Sequence, residues 1–366
     1  MGGVPSFSLT KPKTGPLVGL DIEAGSVAAT EIAANGSVQV TGSAIGALEP
    51  GAFHEGEVLD PERLAASLKA FFAEHKLSKR VRLGIGNQRL VVRTMRLPAI
   101  EDPKEMEAAV RFQAQEQVPM PLDQAVLEHQ VVGGVPAEEG GTAQLDVVVV
   151  AARREMISSF VEPIRRAGLD PVGVDLAAFG MIRALAGAEA HSSDTPEPGQ
   201  QSPGAVLFCN LGDVTNLAVA RGRACLFTRV SYVGLEAMAA PLVSALGLTL
   251  AHGAQWLSYV GLEAPLEELD GDAEIVVEAR RALADGIGSL VDELRLSLDY
   301  YGAQEAVVPV EQIVLCGPGS AIAGVPAQME ARIGLPTSVA RPPALAGFDD
   351  ASAARLTVPF GLALED

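Results

Sequence analysis

The chain has 366 residues, 48% of them hydrophobic, and a formal net charge of −19 at pH 7. This length allows two or more domains with cores of their own, and the negative charge argues against nucleic acid and anionic lipid as partners. No apolar run approaches the roughly 18 residues of a membrane span, and the three Cys show no metal-binding spacing and fit buried, reduced thiols. We therefore expect a cytoplasmic protein with no direct membrane insertion and no nucleic-acid partner.

The predicted first lobe begins after a short N-terminal segment. Residues 1–16 are rich in Gly, Pro and Lys, which predicts a flexible terminus. Residues 17–47 alternate apolar and small side chains, as strands do. Residues 61–76 predict a helix with Pro at its first position and Asp60 as its cap. A further strand is predicted at 80–86.

A block with a different pattern interrupts this lobe. It predicts a strand, a helix, two strands and a second helix, at residues 89–97, 101–117, 125–132, 145–152 and 154–167. The first helix is acidic at its start, as the helix dipole favours, and Gly168 ends the second. This β-α-β-β-α order predicts a subdomain, 89–169, inserted into a first lobe that spans 17–186. A helix at 175–185 is predicted to resume that lobe.

A polar segment and a second α/β unit follow. Residues 187–204 contain polar residues, Pro and Gly and little that can bury a core, which predicts a disordered linker. The second lobe is predicted at 205–366, with a helical subdomain at about 235–290, a strand at 312–316 and a final apolar segment at 355–364. Strands that alternate with helices in both halves predict an α/β architecture of two related lobes.

Two similar hairpins, one in each half, are the best indication of function. At residues 18–30 and 206–219, an apolar strand leads through a short turn with Gly and small polar residues into a second strand. Gly permits unusual backbone angles there and a close approach of a ligand to the main chain, and exposed N–H groups can form an anion nest. A hairpin used once per half predicts a duplicated fold with a ligand between the lobes.

A Gly-rich turn follows the strand that ends at Cys316. Gly317, Gly319 and Ser320 lie in this turn, which can rest against a base or a sugar. Alone it is also typical of an ordinary strand–turn–helix junction. Together with the hairpins it gives two phosphate loops and one nucleoside loop, in the order of actin and sugar-kinase folds.

Several segments resemble the type IV pilus assembly protein PilM family, relatives of the division protein FtsA. They are Arg96-Leu97-Pro98, residues 105–121, 147–154 and 227–229, residues 292–301 with the pattern Glu-Leu-Arg-x-Ser-Leu-Asp-Tyr-Tyr, the Gly317 turn, and residues 359–364. The resemblance spans Leu17 to Leu364. It implies an actin-like two-lobed ATPase fold built from duplicated ribonuclease-H-like domains, with the FtsA/PilM-type subdomain inserted at 89–169.

The resemblance also implies a function and partners. Members of the family are cytoplasmic ATP-binding scaffolds that grip the N-terminal cytoplasmic tail of PilN, an inner-membrane protein. The groove for that tail is associated with the inserted subdomain, 89–169. The chain is therefore expected to be peripheral to the inner membrane through a PilN-like partner, with pilus motor ATPases and self-association as further contacts.

The first hairpin carries the implied phosphate site with changes. Asp21 matches the acidic residue that organises the magnesium hydration shell, so the implied cofactor is ATP with Mg, and Gly25 and Ser26 offer an N–H group and a hydroxyl to phosphate. Glu23 replaces a family Gly; at ~4 Å and an effective dielectric of ~20, two unit charges repel by about 4 kcal/mol. Ala28 replaces a phosphate-neutralising Lys. Asp21 acting only as a hairpin cap is the alternative.

The second lobe carries the rest of the implied site, also altered. Asn210 replaces an Asp, and Gly212, Thr215 and Asn216 remain candidates for the second phosphate loop, although the last two also suit an ordinary turn. The residues that flank adenosine in the family fall at Gln255 and Ser258, and Pro318 replaces a Gly in the nucleoside turn of Gly317, Gly319 and Ser320. These changes predict weak or absent hydrolysis.

Two other functions stay open at this point. An active ATPase or small-molecule kinase would need a base aimed at a substrate hydroxyl, for which Asp175 is the candidate. An FtsA-like filament former calls for a C-terminal amphipathic helix, and we expect none because the sequence ends at Leu364-Glu365-Asp366. The inserted subdomain and the altered phosphate loops favour the scaffold.

Overall fold

The computed structural model describes residues 7–8, 15–33, 38–135, 142–189, 204–304 and 307–364. Most of the predicted flexible N-terminus and of the predicted linker, 187–204, lies outside these described residues. The strands are β1 (Phe7–Ser8), β2 (Leu17–Ile22), β3 (Ser26–Ile32), β4 (Val40–Ala47), β5 (Phe53–His54), β6 (Glu57–Val58), β7 (Arg80–Ile85), β8 (Val91–Pro98), β9 (Ala125–Val135), β10 (Gln144–Arg153), β11 (Asp170–Leu176), β12 (Ala205–Leu211), β13 (Thr215–Arg221), β14 (Ala224–Ser231), β15 (Val310–Cys316) and β16 (Thr337–Val339). The helices are α1 (Pro61–His75), α2 (Pro103–Gln117), α3 (Arg154–Arg166), α4 (Ala177–Glu189), α5 (Leu235–Leu246), α6 (Leu250–Val260), α7 (Ala273–Gly302), α8 (Val325–Ile333) and α9 (Asp350–Ala363).

The two main sheets repeat one topology. In the first, with strand order β1-β11-β7-β2-β3-β4, β2 pairs antiparallel with β3 and parallel with β7. In the second, with order β14-β13-β12-β15-β16, β12 pairs antiparallel with β13 and parallel with β15. Each lobe therefore starts with a hairpin whose first strand becomes the centre of a mixed sheet. The two hairpins that are similar in sequence therefore occupy equivalent places in the two sheets.

The last helix of each lobe packs on the sheet of the other lobe. Helix α4 lies against β12, β13 and β14, and α9 lies against β2, β3 and β7. The two helices contact each other where they cross, and the Nε of Arg183 in α4 donates to the carbonyl of Gly361 in α9 at 2.9 Å. The guanidinium of Arg82 donates to the carbonyl of Leu364 at 2.7 Å and thereby satisfies the end of α9. Around the crossing, Phe208 and Val314 of the second sheet pack in the same core as the first lobe, and the other face of that sheet packs in a second core.

The first lobe confirms several sequence predictions and corrects two. Asp60 caps α1, because its side chain accepts from the N–H groups of Glu62 and Arg63 at 3.1 and 3.0 Å. The helix predicted from Asp175 is wrong in its start: β11 runs to Leu176, because this segment pairs in parallel with β7, and α4 follows. The second correction is that α3 does not pack in the core of the inserted block.

The inserted block has a small core of its own, which α3 does not join. Strand β10 lies between β8 and β9 and presents alternate residues to two cores. Val147 and Val149 pack with α2 in the small core, and Val148 and Val150 pack in the core of the first lobe. Helix α3 buries Phe160 in that larger core and packs on α1. The independent unit is thus narrower than the predicted 89–169.

No single helix in the described ranges is long and apolar enough to cross a membrane. The bent pair of α5 and α6 passes such a test together, by length and composition only. In this fold, residues from both helices, including Leu242 and Leu257, are buried in the core of the second lobe.

Candidate functional site

Strand β2 brings an acidic side chain to the side of the sheet that α9 covers. Successive residues of a strand face opposite sides, so Gly19 and Asp21 share one face while Leu20 and Ile22 share the other. Gly19 has no Cβ, and one built there would overlap the carbonyl oxygen of Pro359 in α9. The close approach of α9 to β2 therefore depends on Gly19, and it places α9 over Asp21.

Arg355 of α9 lies at the centre of the first hairpin. Its guanidinium pairs with Asp21, lies 3.1 Å from the Glu23 carboxylate and donates to the Ser26 hydroxyl at 3.1 Å. The Arg355 side chain is only 7% exposed. Ala28, the position where the family carries Lys, pairs directly with Asp21 across the hairpin and is fully buried. The cation predicted to be missing at position 28 is therefore supplied from α9.

The turns of the two hairpins contact each other directly. The Gly25 N–H donates to the Asp213 carboxylate at 3.4 Å, and the Asp213 N–H donates to the Glu23 carboxylate at 3.3 Å. A Cβ at Gly212 would overlap that Glu23 carboxylate. In each lobe, an acidic side chain thus accepts a hydrogen bond from a backbone N–H of the other lobe. These contacts lie in the part of the cleft where the sequence predicted phosphate.

Burial raises the pKa of two carboxyl groups in this cluster. The pKa of Glu23 rises to about 8, because burial outweighs the attraction of Arg355, with Asp213 and Asp21 adding to the rise. The pKa of Asp213 rises to about 6 through burial and the nearby Glu236, against the attraction of Arg355. Burial thus favours the protonated form of these two carboxyl groups, and the Arg355 guanidinium opposes that effect.

A cleft of about 600 Å³ opens from this cluster between the lobes. Gly25, Ser26 and Arg355 line it from one side. Gln255, with Ser258 and Pro318, lines it from the second lobe. The structure thus brings the predicted residues of the first phosphate turn and of the nucleoside end around one cavity.

The predicted residues Thr215 and Ser320 have structural partners and do not line this cleft. The Thr215 hydroxyl donates to the Val233 carbonyl at 2.7 Å, and the Ser320 hydroxyl donates to the Gly317 carbonyl at 2.7 Å. Both side chains are buried. Their hydroxyl groups hold turns in place and are not directed at a ligand.

Asn210 and Asn216 face each other in the register of the second hairpin and are both buried. The Asn210 amide oxygen accepts from the Cys316 thiol at 3.7 Å. The Asn216 amide oxygen has no hydrogen-bond partner among the described residues, and a Cβ on Gly86 would lie 2.6 Å from it. Neither residue lines the large cleft.

The glycines of the nucleoside turn are required by packing. Gly317 has a φ of +79°, and a Cβ there would lie 2.5 Å from the Asn210 amide oxygen. A Cβ on Gly319 would overlap the Leu211 side chain. Both positions therefore need Gly to let the turn rest on the end of β12.

The residues at Asp21 do not fit a magnesium hydration shell. Arg355 already pairs with that carboxylate, so a divalent cation there would have to displace a buried guanidinium. Among the described residues, no group of three or more His, Cys, Asp or Glu side chains is arranged to hold a metal ion.

The predicted kinase base is not available to a substrate. Asp175 is fully buried and pairs with Arg183 of α4. A carboxylate held in this way inside the core positions the crossing helix and is not aimed at the cleft.

A second contact between the lobes involves His54 and Glu236. The Nδ1 of His54, on β5, lies 2.5 Å from the carboxylate of Glu236 at the start of α5, and the N–H of Glu55 donates to the same carboxylate at 3.3 Å. The hydrogen bond to Glu236 raises the pKa of His54 above its ordinary value, against a smaller effect of burial. These residues, like Asp213 and Arg355, were missed from sequence because nothing local signals a contact with the other lobe.

A groove of about 560 Å³ lies between the inserted block and the first lobe. Its apolar wall comes from Met120, in the Val-Pro-Met-Pro stretch, and from Met156 and Phe160 of α3. Its charged residues are Glu57, Arg89, Arg153 and Glu155, with Arg89 paired to Glu57. The groove is separate from the interlobe cleft, and most of its lining residues, including those of α3, belong to the predicted insertion 89–169.

Two lobes of the same topology, exchanged helices and a cleft closed by two hairpin turns define a protein of the actin-like class. The chain belongs to the family described as type IV pilus assembly protein PilM, whose model matches residues 19–364. The match confirms the family and the fold predicted from sequence.

Solved structures agree with this fold. A PilM–PilN type IV pilus biogenesis complex matches with a TM-score of 0.76 and 24% identity, over 96% of this chain and 98% of that one. The ethanolamine utilization protein EutJ from Carboxydothermus hydrogenoformans matches with a TM-score of 0.51 and 12% identity, over 98% and 91%. MreB5 of Spiroplasma citri bound to ADP matches with a TM-score of 0.51 and 14% identity, over 96% and 95%.

Proposed function

We propose that this chain is a cytoplasmic scaffold of type IV pilus assembly that docks the N-terminal tail of a PilN-like inner-membrane protein. The family assignment to residues 19–364 supports a role in pilus assembly. The observation that carries the docking role is the groove of about 560 Å³ between the inserted block and the first lobe. In this proposal the chain is peripheral to the inner membrane through its partner, with pilus motor ATPases and self-association as further contacts.

The groove suits a short extended peptide. Met120, Met156 and Phe160 offer an apolar floor that can accept alternate side chains of a strand-like segment. Glu155 and Arg153 are exposed at its edge and can pair with charges on the peptide. The net charge of −19 favours a basic tail during the encounter.

The proposal includes ATP in the interlobe cleft. Gly25 and Ser26 would meet the phosphates, and Gln255 with Ser258 would lie beside the nucleoside. A nucleotide there would contact both lobes, so its binding would stabilise the closed form and tune docking. Hydrolysis would be slow at most, because Asn210 brings no charge to the second hairpin.

Titration with a synthetic PilN-like N-terminal peptide tests the docking. Ser159 lines the groove and Ser158, its neighbour on α3, does not. Both hydroxyls bond to backbone carbonyls within the helix, at 2.7 and 2.9 Å. Ser159→Arg should weaken peptide binding by tenfold or more, about 1.4 kcal/mol, because its side chain fills the groove.

Ser158→Arg adds the same charge and bulk outside the groove and should bind the peptide like the unmodified chain. Equal effects of the two substitutions, or no peptide binding by the unmodified chain, would contradict the docking proposal. Calorimetry measures the affinities, and circular dichroism checks that both variants are folded.

A further inference from the structure

The phosphate end of the interlobe cleft already contains a cation supplied by the protein. We propose that Arg355 takes the place of the divalent metal at this site, so that the chain binds a nucleoside di- or triphosphate without Mg²⁺. This inference rests on the proposed nucleotide cleft and assigns its phosphate-binding cation.

The position of Arg355 follows from the packing of α9. Gly19 lets α9 approach β2, and the guanidinium then reaches Asp21, Glu23 and the Ser26 hydroxyl. Arg355 also lines the cleft. A guanidinium is planar and presents several N–H donors, which suits bidentate contact with phosphate oxygens.

The charged residues around the cleft indicate that Arg355 is the cation that contacts the phosphates. Glu23, Asp213 and Glu236 also line it, and Arg355 is the one Lys or Arg among the described residues that do so. A magnesium ion bound through Asp21 would lie beside the guanidinium, and the two cations would repel each other. The Asp21 carboxylate can therefore pair with the Arg355 guanidinium or with a magnesium ion, but not with both.

The contacts of the turns can be exchanged for contacts to phosphate. The Gly25 N–H now donates to the Asp213 carboxylate, and Arg355 contacts the Glu23 carboxylate. A phosphate oxygen offers the same kind of acceptor to both donors. Around Gly25 there is space, since a Cβ built there has no neighbour within 4 Å. The two carboxylates thus hold the positions that the phosphates would take.

Calorimetric titration of the full chain with ATP, in Mg²⁺ and in EDTA, tests this assignment. The Kd is expected to differ by less than about threefold between the two conditions. Binding that is tenfold or more weaker in EDTA would overturn the inference and leave the nucleotide cleft standing. No binding in either condition would overturn both the inference and the proposed nucleotide cleft. The docking groove is tested separately by the peptide titration.

Substitutions separate the role of Arg355 from general stability. Arg355→Gln should weaken binding in EDTA by tenfold or more, and Mg²⁺ should restore part of it, because Asp21 is then free to organise the ion. Arg355→Lys keeps the charge and should remain insensitive to EDTA. Unchanged affinity of Arg355→Gln in EDTA would overturn the proposal.

A double variant covers the case in which Arg355→Gln does not fold. Glu23→Gln with Arg355→Gln removes the buried carboxyl group together with the guanidinium that faces it and should show the same Mg²⁺ dependence. The control is Arg341→Gln, because Arg341 pairs with Asp350 at the exposed start of α9 and does not line the cleft. It should bind ATP like the unmodified chain in both conditions, and a loss equal to that of the double variant would overturn the assignment.

Discussion

Gly361 in α9 lies directly against Gly180 in α4, so closely that a Cβ on Gly361 would overlap the Gly180 carbonyl oxygen. This is the point where the two exchanged helices cross. Any side chain at position 361 would push α9 away from α4 and from the sheet of the first lobe. The crossing also sets the position of Arg355, which lies about one and two-thirds helical turns earlier in α9.

Gly361→Ala is expected to lower the free energy of unfolding by about 3 kcal/mol or more, because the added methyl group meets backbone rather than a movable side chain. Chemical denaturation monitored by circular dichroism measures the change. Gly302→Ala is the matched control: it lies at the end of α7 with open space around it. That substitution should be neutral or stabilising, by up to about 1 kcal/mol, and a similar loss in both variants would contradict the tight crossing.

Arg355→Ala should destabilise the fold by about 3–5 kcal/mol, because it leaves the buried carboxylates of Asp21 and Glu23 without their cation. Arg341→Ala breaks an exposed pair and should cost at most about 1 kcal/mol. Denaturation midpoints of the two variants, measured in the same buffer, make the comparison. A loss no greater for Arg355→Ala than for Arg341→Ala would show that the cluster is not buried as described.

The contact between His54 and Glu236 should make the closure of the lobes depend on pH. The pKa of His54 is raised in the folded chain, so its contribution is complete below about pH 6.5, the ordinary value, and is lost as pH rises through the raised value. The effect should stay below about 1 kcal/mol, because half of the His54 side chain is exposed. Between pH 6 and 9, the unmodified chain should lose its stability advantage over His54→Gln.

His252→Gln is the control for that measurement, because His252 lies on the exposed face of α6. The difference between the unmodified chain and this variant should not follow the same pH course. A stability advantage over His54→Gln that grows toward pH 9 would have the wrong sign and would rule out the contact.

Thr215→Val separates a structural hydroxyl from a phosphate ligand. The hydroxyl donates to the Val233 carbonyl at 2.7 Å, so its loss should cost about 1 kcal/mol of stability and leave the affinity for ATP unchanged. Ser26→Ala should instead weaken ATP binding, since Ser26 lines the cleft and accepts from Arg355. Calorimetry and denaturation of both variants test this, and reduced affinity with unchanged stability in Thr215→Val would restore its phosphate role.

Much of the local structure followed from the sequence because its causes are local. The alternation of residues 17–47 predicted strands that β2, β3 and β4 confirm, and Asp60 predicted the start of α1. The helix predicted from Asp175 began too early, because the pairing of β11 with β7 is a long-range contact that the sequence does not show. The predicted insertion included α3, which packs on α1 and buries its apolar face in the core of the first lobe, not in the small core around α2.

The sequence by itself determined the duplicated hairpins, the family and the list of phosphate and nucleoside candidates. These depend on residue type and spacing along short stretches. Only the tertiary structure decided which candidates meet: Gly25, Ser26 and Gln255 share the cleft, while Thr215 and Ser320 hold turns. It also decided that Asp21 pairs with Arg355. That contact joins residues near opposite ends of the chain and arises because α9 crosses the first sheet.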